Sequence, residues 1–165
     1  MKLSENEKFV SFIDEIINES LNKYNDEKFV NLRKDIGKEY YLKEICTYHF
    51  AFPRQQGTTT FVLKLLDKYS NSCLFVDKQR MVDAIKQRIK MGFYCDIDEG
   101  WKGSFINKER MLKSIFNINS LDSLRGMNFP EIILIDNFNY IKPEIINNFY
   151  KLIQPTNVKC ILYFG

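Results

Sequence analysis

The strongest constraint on the fold is a run of four apolar residues, Ile132 to Ile135, that ends in Asp136. Three of the four are isoleucine, a β-branched residue that favours strands, and no polar residue alternates with them. A strand that is apolar at successive positions is buried on both faces, as the strands of parallel sheets are. The run therefore predicts a buried central strand with an acidic residue at its end.

The rest of the chain alternates strand-like and helix-like segments. The other apolar, strand-like runs are Tyr48 to Phe52, Cys73 to Val76 and Lys159 to Phe164. Patterns with helical spacing begin at Phe61 and Met81, and Pro143 suits the first turn of a last helix. Asp77 is the expected cap of the helix that carries Met81. This alternation favours a mostly parallel sheet that helices cover on both faces. We therefore expect an α/β fold, a three-layer sandwich around a mostly parallel central sheet.

Helices are expected before the first strand of this sheet. The spacing of apolar residues, with caps at Asp26 and Gly37, predicts helices at about Glu5 to Lys23, Asp26 to Gly37 and Lys38 to Ile45. Residues 1–46 are expected to form an N-terminal helical segment packed on a core of residues 47–165, in one compact domain. Residues 93–118 are ambiguous, because FYCDIDEGWKGSFIN is typical of a hairpin while NKERMLKSIF fits a short helix or a solvent-facing strand.

Composition narrows the class of protein. The net charge of +3, from 24 basic and 21 acidic residues, permits nucleic-acid binding without indicating it. The four cysteines form no C-x-x-C pair, which favours reduced, buried thiols over disulfides or zinc ligands. No apolar run approaches the ~18 residues of a membrane span, and no signal peptide is visible at the N-terminus. We expect a cytoplasmic protein without a membrane partner.

The turn between the first strand and Phe61 reads FPRQQGTTT, from Phe52 to Thr60. Phosphate-binding loops have the pattern G-x-x-x-x-G-K-[ST] at such a turn. Here Gly57 holds the second glycine place and Thr59 the magnesium-ligand place, but Phe52 replaces the first glycine and Thr58 the lysine. The match to a phosphate-binding loop is therefore partial.

Nucleotide binding on a parallel sheet uses such a loop together with an acid at the end of a neighbouring strand. Thr59 and Asp136 are the candidates. ATPases commonly place a glutamate beside this acid to polarise the attacking water, and here the neighbour is Asn137. An amide does not accept a proton as a carboxylate does, and Thr58 supplies no positive charge. Removal of one preorganised electrostatic group typically lowers the catalytic rate by ~10²–10³-fold. The absence of the lysine and the absence of the glutamate are each expected to have an effect of this size.

These motifs resemble those of the large terminase subunit, the ATP-driven motor of tailed phages. PRQQGTTT is similar to the PRQxGKTT loop of that family, and Ser123 to Gly126 followed by Ile132 to Ile141 resembles its SLRG … IIIDEFAFI passage. The resemblance covers about Tyr48 to Gly165, and it implies a P-loop NTPase-like fold. It implies that ATP and magnesium bind and that Asp136 is the acid of the Walker B motif. The residues that it implies around the nucleotide are Arg54, Gln55, Gln56, Gly57, Thr58, Thr59 and Thr60, with magnesium at Thr59 and Asp136.

The departures from the family pattern at Thr58 and Asn137 make efficient hydrolysis unexpected. Arg54 is a second candidate catalytic residue, because a guanidinium suits phosphate oxygens and would replace the lost lysine charge. The resemblance therefore implies a viral regulatory or interaction protein that acts on a DNA-packaging motor or a related nucleic-acid ATPase in the cytoplasm of the host cell. The alternative is an active ATPase module, either a piece of a packaging motor or one completed by residues of a partner subunit. The partners that this interpretation implies are DNA and a packaging-motor subunit or a second copy of the chain.

Other polar residues have both a structural and a functional interpretation. Arg125 is a nucleotide sensor or a surface residue, and His49, the single histidine, is expected to be a structural strand residue. One predicted helix is rich in positive charge, which usually marks a solvated face and otherwise marks a contact to DNA or an acidic partner. Its basic residues are Lys78, Arg80, Lys86, Arg88 and Lys90.

Overall fold

The computed structural model describes residues 7–53, 57–92, 94–95 and 102–165. The helices are α1 (Glu7–Asn25), α2 (Glu27–Ile36), α3 (Lys38–Ile45), α4 (Thr58–Lys68), α5 (Gln79–Met91), α6 (Lys108–Leu112) and α7 (Pro143–Ile153). The strands are β1 (Thr47–Phe50), β2 (Ser72–Val76), β3 (Tyr94–Cys95), β4 (Lys102–Gly103), β5 (Ile115–Asn117), β6 (Ile132–Asp136) and β7 (Cys160–Phe164). Two 3-10 helices cover Ile118–Leu124 and Phe138–Tyr140.

Five parallel strands form the central sheet in the order β1-β7-β6-β2-β5, which confirms the predicted α/β class. Every residue of β2, β6 and β7 is buried. Successive residues of β6 belong to two separate apolar clusters, Ile132 and Leu134 to one and Ile133 and Ile135 to the other. Because side chains alternate across a strand, these clusters are the two faces of the sheet. The sheet is therefore the middle layer of three.

The first cluster contains apolar side chains from α1, α4 and α5, and the second contains side chains from α3 and α7. The N-terminal helices thus contribute to both faces. Ile13 and Ile17 of α1 are fully buried on one face, and Tyr41 and Leu42 of α3 on the other. Ser20 of α1 donates a hydrogen bond of 2.7 Å to the Lys159 carbonyl, just before β7.

The local signals for the helix ends are confirmed. The Asp26 side chain accepts a hydrogen bond of 2.9 Å from the Lys28 N–H at the start of α2. Gly37 ends α2 with a φ of 83°, in a region open mainly to glycine. Pro143 occupies the first turn of α7.

The ambiguous segment contains more structure than the sequence predicts. β3 and β4 pair as a short antiparallel hairpin, and α6 is the predicted short helix. The residues after α6 form β5, which pairs with β2 at the edge of the central sheet. Ile115 at its start is buried, so the expectation of a solvent-facing strand is wrong here.

Three of the cysteines, Cys46, Cys73 and Cys160, are free and buried, in agreement with the sequence. Burial raises the pKa of the Cys46 thiol to about 11 and that of Cys160 to about 12, which keeps both neutral at pH 7. None of the helices in the described ranges has the length and apolar character that crossing a bilayer requires.

The two-faced burial of the sheet has a measurable consequence for stability. Ile133 lies on β6 with no exposed surface, whereas the Ile106 side chain is 86% exposed. We expect Ile133→Ala to lower the free energy of unfolding by about 2–5 kcal/mol, since it removes buried methylene groups and leaves a cavity. The matched change Ile106→Ala is expected to stay within about 0.5 kcal/mol of the wild type. Urea unfolding of the two variants measures both values, and equal losses would contradict the assignment of β6 to the core.

Candidate functional site

A pocket of about 630 Å³ opens where the carboxyl ends of β1, β6 and β7 meet. Ligands of parallel sheets bind at this edge, because the loops that follow the strands converge there. The lining consists of the β1–α4 loop with the first turn of α4, the segment after β6, and the end of β7. The lining residues are Phe52, Pro53, Gly57, Thr58, Thr59, Thr60, Asp136, Asn137, Asn139, Tyr140 and Gly165.

The start of the β1–α4 loop is fixed by continued pairing with β7. The Gly165 N–H donates to the Phe50 carbonyl at 3.0 Å, and the Phe52 N–H donates to the Gly165 carbonyl at 2.6 Å. The Phe52 ring packs edge-on against Phe9 of α1, with 5.3 Å between ring centroids. The chain therefore leaves the sheet in a defined direction before it reaches the pocket.

Gly57 turns the loop into α4. Its backbone is left-handed, with a φ of 74° and a ψ of 26°, so a side chain at this position would be strained. A Cβ built there meets no atom of the described residues within 4 Å, and the positive φ of the backbone is what requires the glycine. The open space lies beside the N-terminus of α4.

Helix α4 begins at Thr58, three residues before the apolar pattern that starts at Phe61. The prediction that the helix starts at Phe61 is wrong, because threonines in the first turn add nothing to an apolar pattern. The Phe61 N–H donates to the Gly57 carbonyl at 2.9 Å, and the cap makes no side-chain hydrogen bond. The N–H groups of the first turn therefore have no partner within the helix. Such groups favour anions, and phosphate in particular.

A hydrogen bond joins α4 to the end of β6 across the floor of the pocket. The Thr59 hydroxyl donates to Asp136 Oδ2 at 2.7 Å, and these residues are 77 positions apart in the sequence. The Asn137 N–H donates to the other carboxylate oxygen at 3.0 Å. Asp136 is only 1% exposed. Both oxygens of this buried acid are thus held by donors, as a buried carboxylate requires.

Burial is the main cause of a raised pKa at Asp136. The hydrogen bonds from Thr59 and Asn137 oppose this shift, and the negative charge of Asp77 adds to it. The ionised form of Asp136 is therefore disfavoured in the folded protein, and a cation beside it would relieve that cost.

Asn137 follows Asp136 with a left-handed backbone, φ 60° and ψ 35°, and among the described non-glycine residues it alone has a positive φ. Asparagine tolerates this conformation better than most residues. Asn137 is one of the residues that line the pocket, at the place where the loop and strand motifs of ATPases commonly have a glutamate. The carboxylate that would accept a proton from water is absent at this position.

The structure brings Gly57, Thr58, Thr59, Thr60 and Asp136 together around one pocket. The other predicted nucleotide-binding residues, Arg54, Gln55 and Gln56, lie outside the described residues. Within the described ranges, no three histidine, cysteine, aspartate or glutamate side chains are grouped to hold a metal ion. Magnesium at nucleotide sites keeps one or two protein ligands beside waters and phosphates. The Thr59 hydroxyl and the Asp136 carboxylate fit that requirement.

The basic residues of α5 do not share one face. Lys86 and Lys90 are four positions apart and lie on one side, whereas Arg88 is two positions from each and therefore about 200° around the helix. Arg88 donates a hydrogen bond of 2.9 Å from Nη2 to the Thr60 hydroxyl, so it supports the first turn of α4. Lys78 precedes α5, and Arg80 is exposed in its first turn. The contact of Arg88 was not visible in the sequence, because it depends on how α4 and α5 pack.

Two other candidates lie away from the floor of the pocket. Arg125 is 79% exposed on its side chain, forms an ion pair of 2.9 Å with Asp122, and lines a different depression beside α7. This placement favours the interpretation of Arg125 as a surface residue. His49 on β1 stacks on Tyr163 with 4.6 Å between ring centroids, and partial desolvation of its ring lowers its pKa. It is a structural strand residue, as the sequence predicts.

Asp77 lies at the same edge of the sheet, and its side chain does not have the capping role that the sequence predicts. It follows β2 and is 5% exposed. The sequence makes it the expected cap of α5, yet the structure places Lys78 at the cap, with no side-chain hydrogen bond there. An acid at the end of a buried strand was the signal that identified Asp136, and the same signal applies to Asp77.

Neither a family model nor a curated protein matches the chain. The fold and the pocket therefore carry the functional interpretation. Together they define a parallel α/β domain with a polar, helix-capped pocket at the carboxyl edge of its sheet.

The raised pKa of Asp136 predicts a pH effect in the protein without ligand. The unfolded chain has an aspartate pKa of about 3.9, and the folded pKa is higher, so the folded state binds more protons between the two values. Stability linked to Asp136 is therefore lost as the pH rises through this interval.

We expect that Asp136→Asn does not show this pH-dependent loss of stability. The melting temperature of the variant should therefore rise relative to that of the wild type as the pH increases from 4 to 7. Asp122→Asn, at a side chain that is 91% exposed, controls for the removal of one surface charge. Thermal unfolding at several pH values measures both differences, and a difference for Asp136→Asn that does not vary with pH would contradict the assignment.

Proposed function

We propose that this chain is a terminase-like P-loop domain that binds a nucleoside triphosphate with magnesium and has lost efficient catalysis. It acts through binding, as a viral regulatory or interaction protein on a DNA-packaging motor or a related nucleic-acid ATPase in the host cytoplasm. The pocket supports the nucleotide site. The resemblance of the loop, of Ser123 to Gly126 and of β6 to the terminase motifs supports the partner.

One observation carries the proposal, the hydrogen bond of 2.7 Å between the Thr59 hydroxyl and Asp136 Oδ2. A hydroxyl and a carboxylate are hard oxygen ligands of the kind that magnesium prefers. They meet at the floor of a pocket that is large enough for a nucleotide phosphate group, directly below the first turn of α4. Magnesium bound there would neutralise charge on the phosphates.

The phosphates themselves would be held by the main chain. The N–H groups of the first turn of α4 lack helical acceptors, and the left-handed Gly57 leaves open space beside them. This arrangement favours an anion through the hydrogen bonds and the helix dipole. Thr58 offers no cation to the β and γ phosphates, so binding is expected to be weaker than in an intact loop.

The missing charges support a role in binding over a role in turnover. Thr58 replaces the loop lysine and Asn137 the glutamate, and each loss costs ~10²–10³ in rate. A domain of this kind transmits the state of its nucleotide to a partner without driving a motor itself.

A working ATPase module is the second candidate, and one observation favours it. Asp77, a second buried acid, lies at the end of the strand beside β6.

Nucleotide binding is tested by titrating ATP with and without magnesium. We expect the wild type to bind ATP only weakly without magnesium. Thr59→Val, which removes the hydroxyl at constant shape, should weaken binding in magnesium by about tenfold or more, since a hydrogen bond to a charged group contributes ~1.5–3 kcal/mol. Thr59→Ser keeps the hydroxyl and should retain most of the affinity. Isothermal calorimetry measures these constants, and wild-type protein that shows no magnesium-dependent binding at millimolar ATP would refute the nucleotide site.

The identity of the missing group is tested by restoring it. We expect Thr58→Lys to tighten binding of ATP with magnesium by about tenfold or more, because a preorganised charge near the β and γ phosphates contributes a few kcal/mol. Thr58→Gln adds similar length without charge and should have little effect. AMP, which lacks both phosphates, should not distinguish the two variants. Equal gains from lysine and glutamine would show that position 58 does not face the phosphates.

A further inference from the structure

The central sheet ends at β1, and no strand of the described residues lies beyond it. The hydrogen bonds between β1 and β7 involve alternate residues of β1. The Cys46 carbonyl accepts from the Ile161 N–H at 2.8 Å, and the Phe50 carbonyl accepts from the Gly165 N–H at 3.0 Å. The main-chain groups of successive residues in a strand point to opposite sides. The even-numbered residues of β1 therefore face β7, and the odd-numbered residues face away from it.

The outer side of β1 carries main-chain groups that the fold does not use. The residues that face away from β7 are Thr47, His49 and Ala51, and their N–H and carbonyl groups have no main-chain hydrogen bond to another described residue. His49 and Ala51 are exposed, and Thr47 is partly buried. The outer side of β1 is thus a row of donors and acceptors that a further strand can pair with.

This edge lacks the features by which proteins usually prevent edge pairing. Exposed edges are commonly blocked by charged side chains, by proline, by a bulge or by a very short strand. The segment CTYHFAF, from Cys46 to Phe52, contains no acidic residue, lysine, arginine or proline. Thr47 to Phe50 pair with β7 residue for residue, without a bulge. The opposite edge strand, β5, is only three residues long. β1 is therefore the edge of this sheet that favours pairing.

An exposed aromatic side chain lies beside the same edge. The Phe12 residue of α1 is 49% exposed, and its ring centroid lies 6.4 Å from that of Phe50, with the rings perpendicular. A strand that pairs with β1 would place its own side chains next to Phe12. This contact would add buried apolar area to the main-chain hydrogen bonds.

A second copy of β1 matches this edge in the antiparallel direction. When His49 lies opposite His49 of the second copy, Thr47 of each copy lies opposite Ala51 of the other. These are the residues that face away from β7, so each falls at a hydrogen-bonded position of the new pair. Partial desolvation lowers the pKa of His49, so the two facing rings are neutral at pH 7. One two-fold axis through the His49 pair generates the whole arrangement.

We propose that the β1 edges of two copies of this chain pair antiparallel about a two-fold axis and form a homodimer. The two five-stranded sheets then become one continuous sheet of ten strands. Because the two β1 strands run in opposite directions, the pockets at their carboxyl ends open at opposite edges of the joined sheet. The inference does not depend on the proposed nucleotide site.

The first test compares His49→Glu with His49→Gln in the full chain. Sedimentation velocity should show a monomer–dimer equilibrium of the wild type in the micromolar range. His49→Glu places two carboxylates opposite each other and should raise the dissociation constant of the dimer by about tenfold or more. His49→Gln also removes the stacking on Tyr163 but adds no charge, so its dissociation constant should stay within about threefold of the wild type.

The register is tested by mixing two variants of opposite charge. His49→Glu and His49→Lys should each be mainly monomeric at a concentration at which the wild type dimerises. An equal mixture of the two should dimerise again, because a carboxylate and an ammonium group then lie opposite each other across the axis. This rescue requires that position 49 faces itself. A mixture that stays monomeric would overturn the register.

Ala51→Pro tests the main-chain hydrogen bonds without adding charge. It removes an N–H group that faces away from β7, a position where an edge strand tolerates proline. The variant should fold and should remain monomeric throughout the micromolar range. It also replaces His49→Glu if that variant does not fold.

Hydrogen exchange identifies the dimer surface directly. The Tyr48 and Phe50 amides face β7 and should be protected in the wild type and in Ala51→Pro alike. The Thr47 and His49 amides should be protected in the wild-type dimer and should exchange rapidly in the monomeric variant.

Each outcome decides the proposal. Wild-type protein that sediments as a monomer throughout the micromolar range overturns it. A wild-type dimer that His49→Glu and Ala51→Pro leave intact, or whose Thr47 and His49 amides exchange rapidly, places the contact elsewhere and also overturns it. Positions 49 and 51 do not line the pocket, so a failure of this proposal leaves the expected ATP binding unchanged.

Discussion

Burial of the sheet on both faces is the constraint on which the rest of the structure depends. β2, β6 and β7 are buried at every position, so a charged side chain in the middle of these strands would lose its water without compensation. The acidic side chains Asp77 and Asp136 accordingly lie at the strand ends. Because the strands are parallel, their carboxyl ends share one edge, and the loops that follow them meet there. The position of the pocket follows from the same apolar pattern that forms the core.

The buried acids at this edge of the sheet lower the stability of the folded protein, whereas the apolar core raises it. Asp136 and Asp77 are both nearly inaccessible to solvent, and the charge of Asp77 disfavours the ionised form of Asp136. Asp136 is compensated by the Thr59 hydroxyl, so the loop and the strand stabilise each other. Asp77 Oδ1 has no hydrogen-bond donor among the described residues, and Oδ2 lies 3.6 Å from Lys78 Nζ. A buried carboxylate oxygen without a donor costs stability.

The sequence predicted the elements whose signals are local. The apolar run that ends in Asp136 gives β6 its correct bounds, and the region expected for α3 matches Lys38–Ile45. β5 was not separated from α6, because three residues at the edge of a sheet become a strand only through pairing with β2. The early start of α4 was missed because the left-handed Gly57, and not an apolar pattern, sets it.

The features of the candidate site also fall into two groups, those with a local signal in the sequence and those that depend on the tertiary structure. Gly57 and Thr59 were found from the loop pattern and Asp136 from the end of its strand, and the structure brings all three together. The hydrogen bond between Thr59 and Asp136 joins elements far apart in the chain, so no local pattern contains it. Asp77 was assigned to a helix cap because an acid between a strand and a helix usually serves as one. Only the observed cap at Lys78 shows that its carboxylate is unused by α5.

The two departures from an intact ATPase site act on different steps and need separate compensation. A lysine at position 58 would hold the β and γ phosphates, so its loss weakens binding first. A glutamate at position 137 would act on water, so its loss slows the chemical step. Arg88 donates a hydrogen bond to the Thr60 hydroxyl in the first turn of α4. In the proposed nucleotide site, the first departure would lower the affinity for the nucleotide and the second would lower the rate of hydrolysis.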